Sequence, residues 1–404
     1  MDPLNVQRMN ASIDQRVYCE SVSLDMMKAI ERKILSCASD VEHGPENRQR
    51  LLEFMSFDRD MKRLVDIALK EGLGGFFYKS LKKSDMLGRL KHEERQRLQN
   101  HYYQTARFNL NLLHDLEEVL HHSNQKNIPV VLLQGIHLIL EVYQDVGLRP
   151  MTDIDLWVMK KDYARFADTM IGLGYERDLV YPNTFKRGST TVDLHTHLLW
   201  ADRIRSRRFL SASTDEDVFH RCRVVAVEGE SGLCLNLYDQ VIYLSLHALK
   251  HRFNRLIWLV DIKNIILRWD ASDWETLHNR AREFGQGKIL TYVLLLLSQV
   301  LDYEPSKGAR WIPEKRVNLI ERRALMGRVK GQALPLWAPL FLFSPPGKLG
   351  THFRLILETL FPRPEVLRQI FPSPPDAKPW QLYQRRVFQI LHMACLSLKA
   401  PLRY

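Results

Sequence analysis

"IPVVLLQGIHLILEVYQDVGLRPMTDIDLWV", residues 128–158, sets the architecture of this chain. "IPVVLLQG" is a β-branched and leucine run ended by Gly135, which reads as a short buried strand meeting a turn. "IHLILEVYQDVG" changes to helical spacing, and "DIDLWV" returns to a strand. Successive strand side chains alternate faces, so Asp153 and Asp155 point one way and Ile154, Leu156 and Val158 the other. Two like charges on one face of a half-buried strand are costly unless a cation or several donors sit opposite. Something should be bound there.

The pattern continues outward. "KDYARFADTMIGLGY" reads as a helix closed by Gly174, and "NTFKRGSTTVDLHTHLLW" as two strands around Lys186-Arg187-Gly188. The order strand, helix, strand, helix, strand, strand predicts a small α/β unit with a mixed sheet. In "TVDLHTHLLW" Asp193 lies between Val192 and Leu194, again polar on one face and apolar on the other, with His195 and His197 sharing its face. Three carboxylates on neighbouring strands suit a two-magnesium phosphoryl-transfer site, because magnesium takes carboxylate oxygens together with substrate phosphates.

Both flanks read as helical. "RDMKRLVDIALKEGLGGFFYKSL" and "HYYQTARFNLNLLHDLEEVLHHSNQKN" carry the three-and-four apolar spacing of amphipathic helices. From Leu235 the chain is helical again, with a break near Asn254, and after Pro305 it turns proline-rich and basic, an extended wrap or mobile segment followed by a last helix around "YQRRVFQILHMACLSLK". The expected division is a helical region 1–126, an α/β domain 127–228, a helical domain 229–310 and a C-terminal extension 311–404.

The five cysteines are scattered with no Cys-x-x-Cys pair, which argues against a disulfide framework and fits a reducing compartment. The start of the chain lacks an apolar secretory core, and the longest apolar stretches fall short of the roughly 20 residues a spanning helix needs. We expect a cytoplasmic protein without a membrane span. The net charge of +11 admits a nucleic acid, an anionic surface or a phosphorylated small molecule. No nucleic-acid motif accompanies it; the one short basic block is "ADRIRSRRF".

Gly135 at a strand-to-helix turn, Asp153-Ile154-Asp155 and Asp193 together resemble the nucleotidyltransferase superfamily that includes DNA polymerase β. More narrowly, "LLQG…YQDVGLRPMTDIDLWV…LGY…VDLHTHLLW…LHALKHRFNRLIWLVDI…DW" resembles a bacterial group of uncharacterised nucleotidyltransferases, over residues of about 60 to 300. The resemblance implies an α+β fold, a small mixed sheet flanked by N- and C-terminal helical regions. It implies an enzyme that moves a nucleoside monophosphate from an NTP, ATP foremost, to an unidentified acceptor (small molecule, peptide or protein) and releases pyrophosphate. The cofactor would be Mg²⁺ or Mn²⁺. Asp153, Asp155 and Asp193 would be the catalytic metal ligands, Asp193 also helping to deprotonate the acceptor. Gly135 would let the phosphates approach the following helix. Here Ile136 follows Gly135 where the superfamily often has Ser or Gly, and Gln134 precedes it where the narrower group commonly has Lys. The alternatives are a non-catalytic binding protein on this fold, or an enzyme acting on nucleic acid.

Further nucleotide-binding candidates are Gln134, Arg149, His195, His247, His251 and Arg255. Arg149 could reach a phosphate or pair with Asp153, and His195 could brace a metal-binding carboxylate or be an ordinary sheet histidine. His247 and His251 have the spacing of a zinc pair on a helix, but no glutamate follows His247 and no third ligand is near in sequence. With Arg255 and Asp261 they would line a cleft for base or acceptor, or form a polar interface stripe. Trp258 and Trp269 read as core.

Overall fold

A computed structural model describes residues 29–40, 44–55, 60–304, 317–329, 334–335, 338–343, 349–371 and 378–399. The expectations for the first 28 residues, for 305–316 and for the proline-rich pieces 344–348 and 372–377 lie outside these.

Among the described residues one mixed sheet of seven strands organises the fold, in the order β3-β4-β5-β2-β1-β7-β6. Its strands are β1 (Val131–Leu132), β2 (Ile154–Trp157), β3 (Glu176–Arg177), β4 (Thr184–Arg187), β5 (Thr190–His195), β6 (Arg223–Val227) and β7 (Glu230–Cys234). β2 runs parallel to β5 and β1 parallel to β7, while β1 and β2 are antiparallel. The fold is α+β, as expected.

The alternation along β2 decides what each face meets. Ile154, Leu156 and Val158 enter one core with Val192 and Leu194 of β5, the helix Tyr163–Gly172 and the apolar stripe Leu112, Leu116, Val119 and Leu120 of the long helix His92–Gln125. Trp157 enters a second core, built with the helices Leu237–Lys250, Ile257–Ile266, Ala271–Phe284 and Gly287–Leu301. Asp155, two residues before Trp157, points to that second side. The carboxylates therefore face the helical body.

Local choices follow the residues. The helix Tyr163–Gly172 ends where Gly174 takes φ +80°, a left-handed conformation that costs glycine no steric penalty. Asp270 caps the helix Ala271–Phe284 in a reciprocal box with Asp273. The expected break near Asn254 falls between the helices Leu237–Lys250 and Ile257–Ile266.

Two expectations change. The β6–β7 hairpin was missing from the predicted strand order, and a boundary at 228 falls in its turn, where Glu228 has φ +50°. β7 pairs with β1, so the sheet runs on to Cys234. Exposed Val224 and Ala226 hid it, because the apolar run of β6 buries only Val225 and Val227 and so shows no clean alternation. Where the tail is described it is helical rather than extended, with the helices Leu319–Val329, Ala338–Leu342, Leu349–Leu360, Pro364–Ile370 and Pro379–Lys399. Pro364 and Pro379 stand at helix starts, where the missing N–H costs nothing.

Candidate active site

Parallel pairing of β2 and β5 sets Asp155 directly against Asp193, and Trp157 against His195. Asp153 sits on the bend that leads into β2, bonded by the Thr152 hydroxyl at 3.0 Å. The three carboxylates act on one another. Burial, then Asp155 and Asp193, push Asp153 up to about 7. Burial and Asp155 likewise raise Asp193, against a 2.6 Å bond donated by Thr184 from the neighbouring β4. This is a destabilised cluster of oxygens in need of positive charge. It fits divalent magnesium or manganese, whose preferred ligands are carboxylate oxygens.

His195 Nε2 lies 2.9 Å from Asp155 Oδ1. Burial alone would lower the His195 pKa, but Asp155 outweighs it and the value rises. The imidazole thus fixes the Asp155 carboxylate. His197 lies beyond the end of β5 and pairs with Asp215 at 2.8 Å instead.

The glycine turn precedes the site and is tied to it: the Leu133 N–H donates to the Asp155 carbonyl at 3.0 Å. The left-handed residue is Gln134, at φ +50°, whose amide nitrogen donates to the Tyr243 hydroxyl at 3.2 Å. Gly135 is needed for space. A Cβ there would sit 2.5 Å from Arg149 Nη1 and 2.8 Å from Met151 Sδ.

Arg149 pairs with Asp261 rather than with Asp153. It is buried, and its guanidinium grips Asp261 through contacts of 3.1, 3.1 and 3.0 Å, while the Tyr143 hydroxyl donates to Asp261 at 2.5 Å. Asp261 is consequently a fully buried anchor, not a cleft-lining residue. Nε and Nη2 are committed to Asp261, whereas Nη1 lies beside the Gly135 turn, and the guanidinium's positive potential reaches Asp153 and Asp155. Arg255 is exposed, and its charge acts on His101 of the long helix.

His247 and His251 stand in an aromatic wall. Trp200 stacks on Tyr243 with centroids 5.5 Å apart, His247 and His251 are 4.6 Å apart, and Trp258 lies 5.1 Å from His251. Burial drives both histidines toward the neutral form, His251 down to about 3. Trp258 is only half-buried here, so it is not wholly the core residue expected.

Three cations beside this wall escaped the sequence reading. Lys250 ends the helix Leu237–Lys250 with its ammonium 4.3 Å from the Trp200 ring centroid. Burial and the nearby Arg207 and Arg203 bring it down to about 7, while Asp155 and Asp202 pull the other way. Among the described residues, none of Lys250, Arg203 and Arg207 makes an ion pair. Arg203 and Arg207 belong to the "ADRIRSRRF" block, and their spacing of four was the available signal. That block is held from behind: Glu358 accepts the Ser206 N–H at 2.7 Å, and Arg363 donates to the Asp202 carbonyl at 2.8 Å.

A sheet that sets a D-x-D pair against a third aspartate, entered through a glycine turn, defines the nucleotidyltransferase class. The chain belongs to the family described as uncharacterised nucleotidyltransferase, whose model matches residues 58–302. Among solved structures it is similar to the solution structure of the antibiotic-resistance factor ANT(2'')-Ia, at 13% identity and a TM-score of 0.31, over 43% of this chain and 92% of that one. No curated protein matches it. Among the described residues no helix is long and apolar enough to cross a membrane.

Proposed function

We propose that this protein is a Mg²⁺-dependent enzyme that transfers a nucleoside monophosphate from an NTP, ATP foremost, to an acceptor hydroxyl or phosphate in the cytoplasm. The observation that carries this reading is the register of Asp155 against Asp193, with Asp153 at the mouth. Asp153, Asp155 and Asp193 would hold the divalent ions, which when bound neutralise charge on the phosphates and on the leaving pyrophosphate. His195 keeps Asp155 oriented. Asp193, made more basic by its surroundings, accepts the proton of the acceptor hydroxyl. The acceptor oxygen then bonds to the α-phosphorus as the α–β bridging P–O bond breaks.

Lys250, Arg203 and Arg207 receive the triphosphate. Arg203 and Arg207, with a Lys250 ammonium that a bound polyanion would keep protonated, suit a compact polyanion better than the long cationic track of a nucleic-acid groove. His251 and Trp258, only half-buried at the edge of the aromatic wall, offer flat surfaces for the base. Catalysis is then mostly positioning and electrostatics.

The test is MgATP titration together with α-labelled ATP added to cell extract, following the label to small molecule, peptide, protein or nucleic acid. Asp155→Asn should abolish labelling. An unchanged rate in that variant, or no NTP binding by the parent protein, would refute the proposal.

A further inference from the structure

A second cluster of ligating side chains lies across β1 from the carboxylates. His137 belongs to the helix Gln134–Leu138, Glu141 to the π-helical turn Ile139–Tyr143 that continues it, and Cys234 ends β7. One ligand atom from each of the three lies within 4.8 Å of the others. His137 is fully buried, and the side chain beside its ring is the buried Gln240 amide, which engages it without forming a bond of ordinary geometry. Gln240 can serve one ring nitrogen only. Buried polar atoms are almost always satisfied, so the second nitrogen, close to a thiol and a carboxylate, calls for a ligand.

We propose that His137, Glu141 and Cys234 form a binding site for a borderline-soft divalent cation of the zinc class. One imidazole, one carboxylate and one thiolate are ligands zinc takes, whereas magnesium takes neither nitrogen nor sulfur readily. Burial leaves His137 neutral, its pKa lowered to about 4, so a nitrogen lone pair is free to coordinate. Burial also holds the Cys234 thiol up to about 11, and the cation would replace its proton, which passes to solvent. Glu141 is exposed and holds Arg223 through Oε2 at 3.2 Å, leaving its other oxygen for the metal.

The consequence is mechanical. The helix that begins at the glycine turn would be fastened to β7 one turn further on, across a π-helical segment that departs from regular helix geometry. The turn preceding Asp153 and Asp155 would then rest on a metal clamp separate from the site itself.

Cobalt(II) is the probe. Titrating the 404-residue chain with Co²⁺ should give one equivalent that shows thiolate-to-cobalt charge-transfer absorption, displaced by Zn²⁺. The band should vanish in Cys234→Ala and persist in Asp155→Asn. In Glu141→Gln, a change at an exposed position, affinity should fall at least the roughly tenfold that loss of even an outer partner produces. No charge-transfer band in the parent protein, a band that survives in Cys234→Ala, or unchanged affinity in Glu141→Gln would each overturn the site.

Discussion

Arg149 and Asp261 offer the sharpest test of how the sheet is locked to the helical body. The pair is bidentate and buried, with side-chain exposures of 8% and 0%, and Tyr143 bonds the same carboxylate. Asp261→Asn keeps the shape but leaves the guanidinium without its counter-charge. Removing one partner of such a buried pair costs about 3–5 kcal/mol. Arg149→Met should cost a similar amount, since it strands the carboxylate. The double variant should cost much less than the sum, because each single change includes the penalty of the group left behind. Urea denaturation of all four proteins at neutral pH gives the cycle directly. A coupling energy of at least about 2 kcal/mol is expected, within the range for residues in one charged network. Single-variant losses below about 1 kcal/mol, typical of exposed pairs, or strict additivity would refute the argument.

Gly135→Ala should destabilise by about 1–3 kcal/mol, the usual cost of overpacking, because its methyl would press on Arg149 and Met151; combining it with Arg149→Met should recover part of the loss in a denaturation experiment. Asp145 titrates below the usual carboxylate range: burial alone would raise it, but Lys79, the Gly147 N–H and Tyr102 together outweigh that. Its contribution is complete above the ordinary aspartate value and is lost as pH falls through the lowered one, so acid titration followed by circular dichroism should show less acid sensitivity in Asp145→Asn than in the parent. Glu358→Gln should weaken NTP binding by roughly tenfold, the worth of one charge-assisted hydrogen bond, without touching a carboxylate ligand, as read by calorimetry.

The alternation of "TDIDLWV" made the central strand legible, and its apolar side chains enter the core that the pattern demanded. Legible too were Asp193 on a partner strand and the helix break before Ile257, because burial periodicity and turn residues are local signals. What decides the rest is non-local. Arg149 is followed by Pro150 and the aspartates in sequence, yet it pairs with Asp261 on a helix more than a hundred residues away. Lys250 looked like one more helix cation, and only the packing of its helix brings it over Trp200. The β6–β7 hairpin was missed because exposed Val224 and Ala226 blur the polar–apolar alternation of its first strand, and the helices described in the tail were missed because prolines can start helices as well as end them.

The bond from Glu358 to Ser206 has a consequence for what counts as the working unit. The family match ends at residue 302, but the arginine block beside the carboxylates leans on side chains at 358 and 363. A fragment cut at the edge of the match would retain every candidate metal ligand while losing the buttress of its cationic rim. Sequence drift in the tail, far from the aspartates, then becomes a way for relatives to retune how firmly they grip a polyanion while keeping the same chemistry.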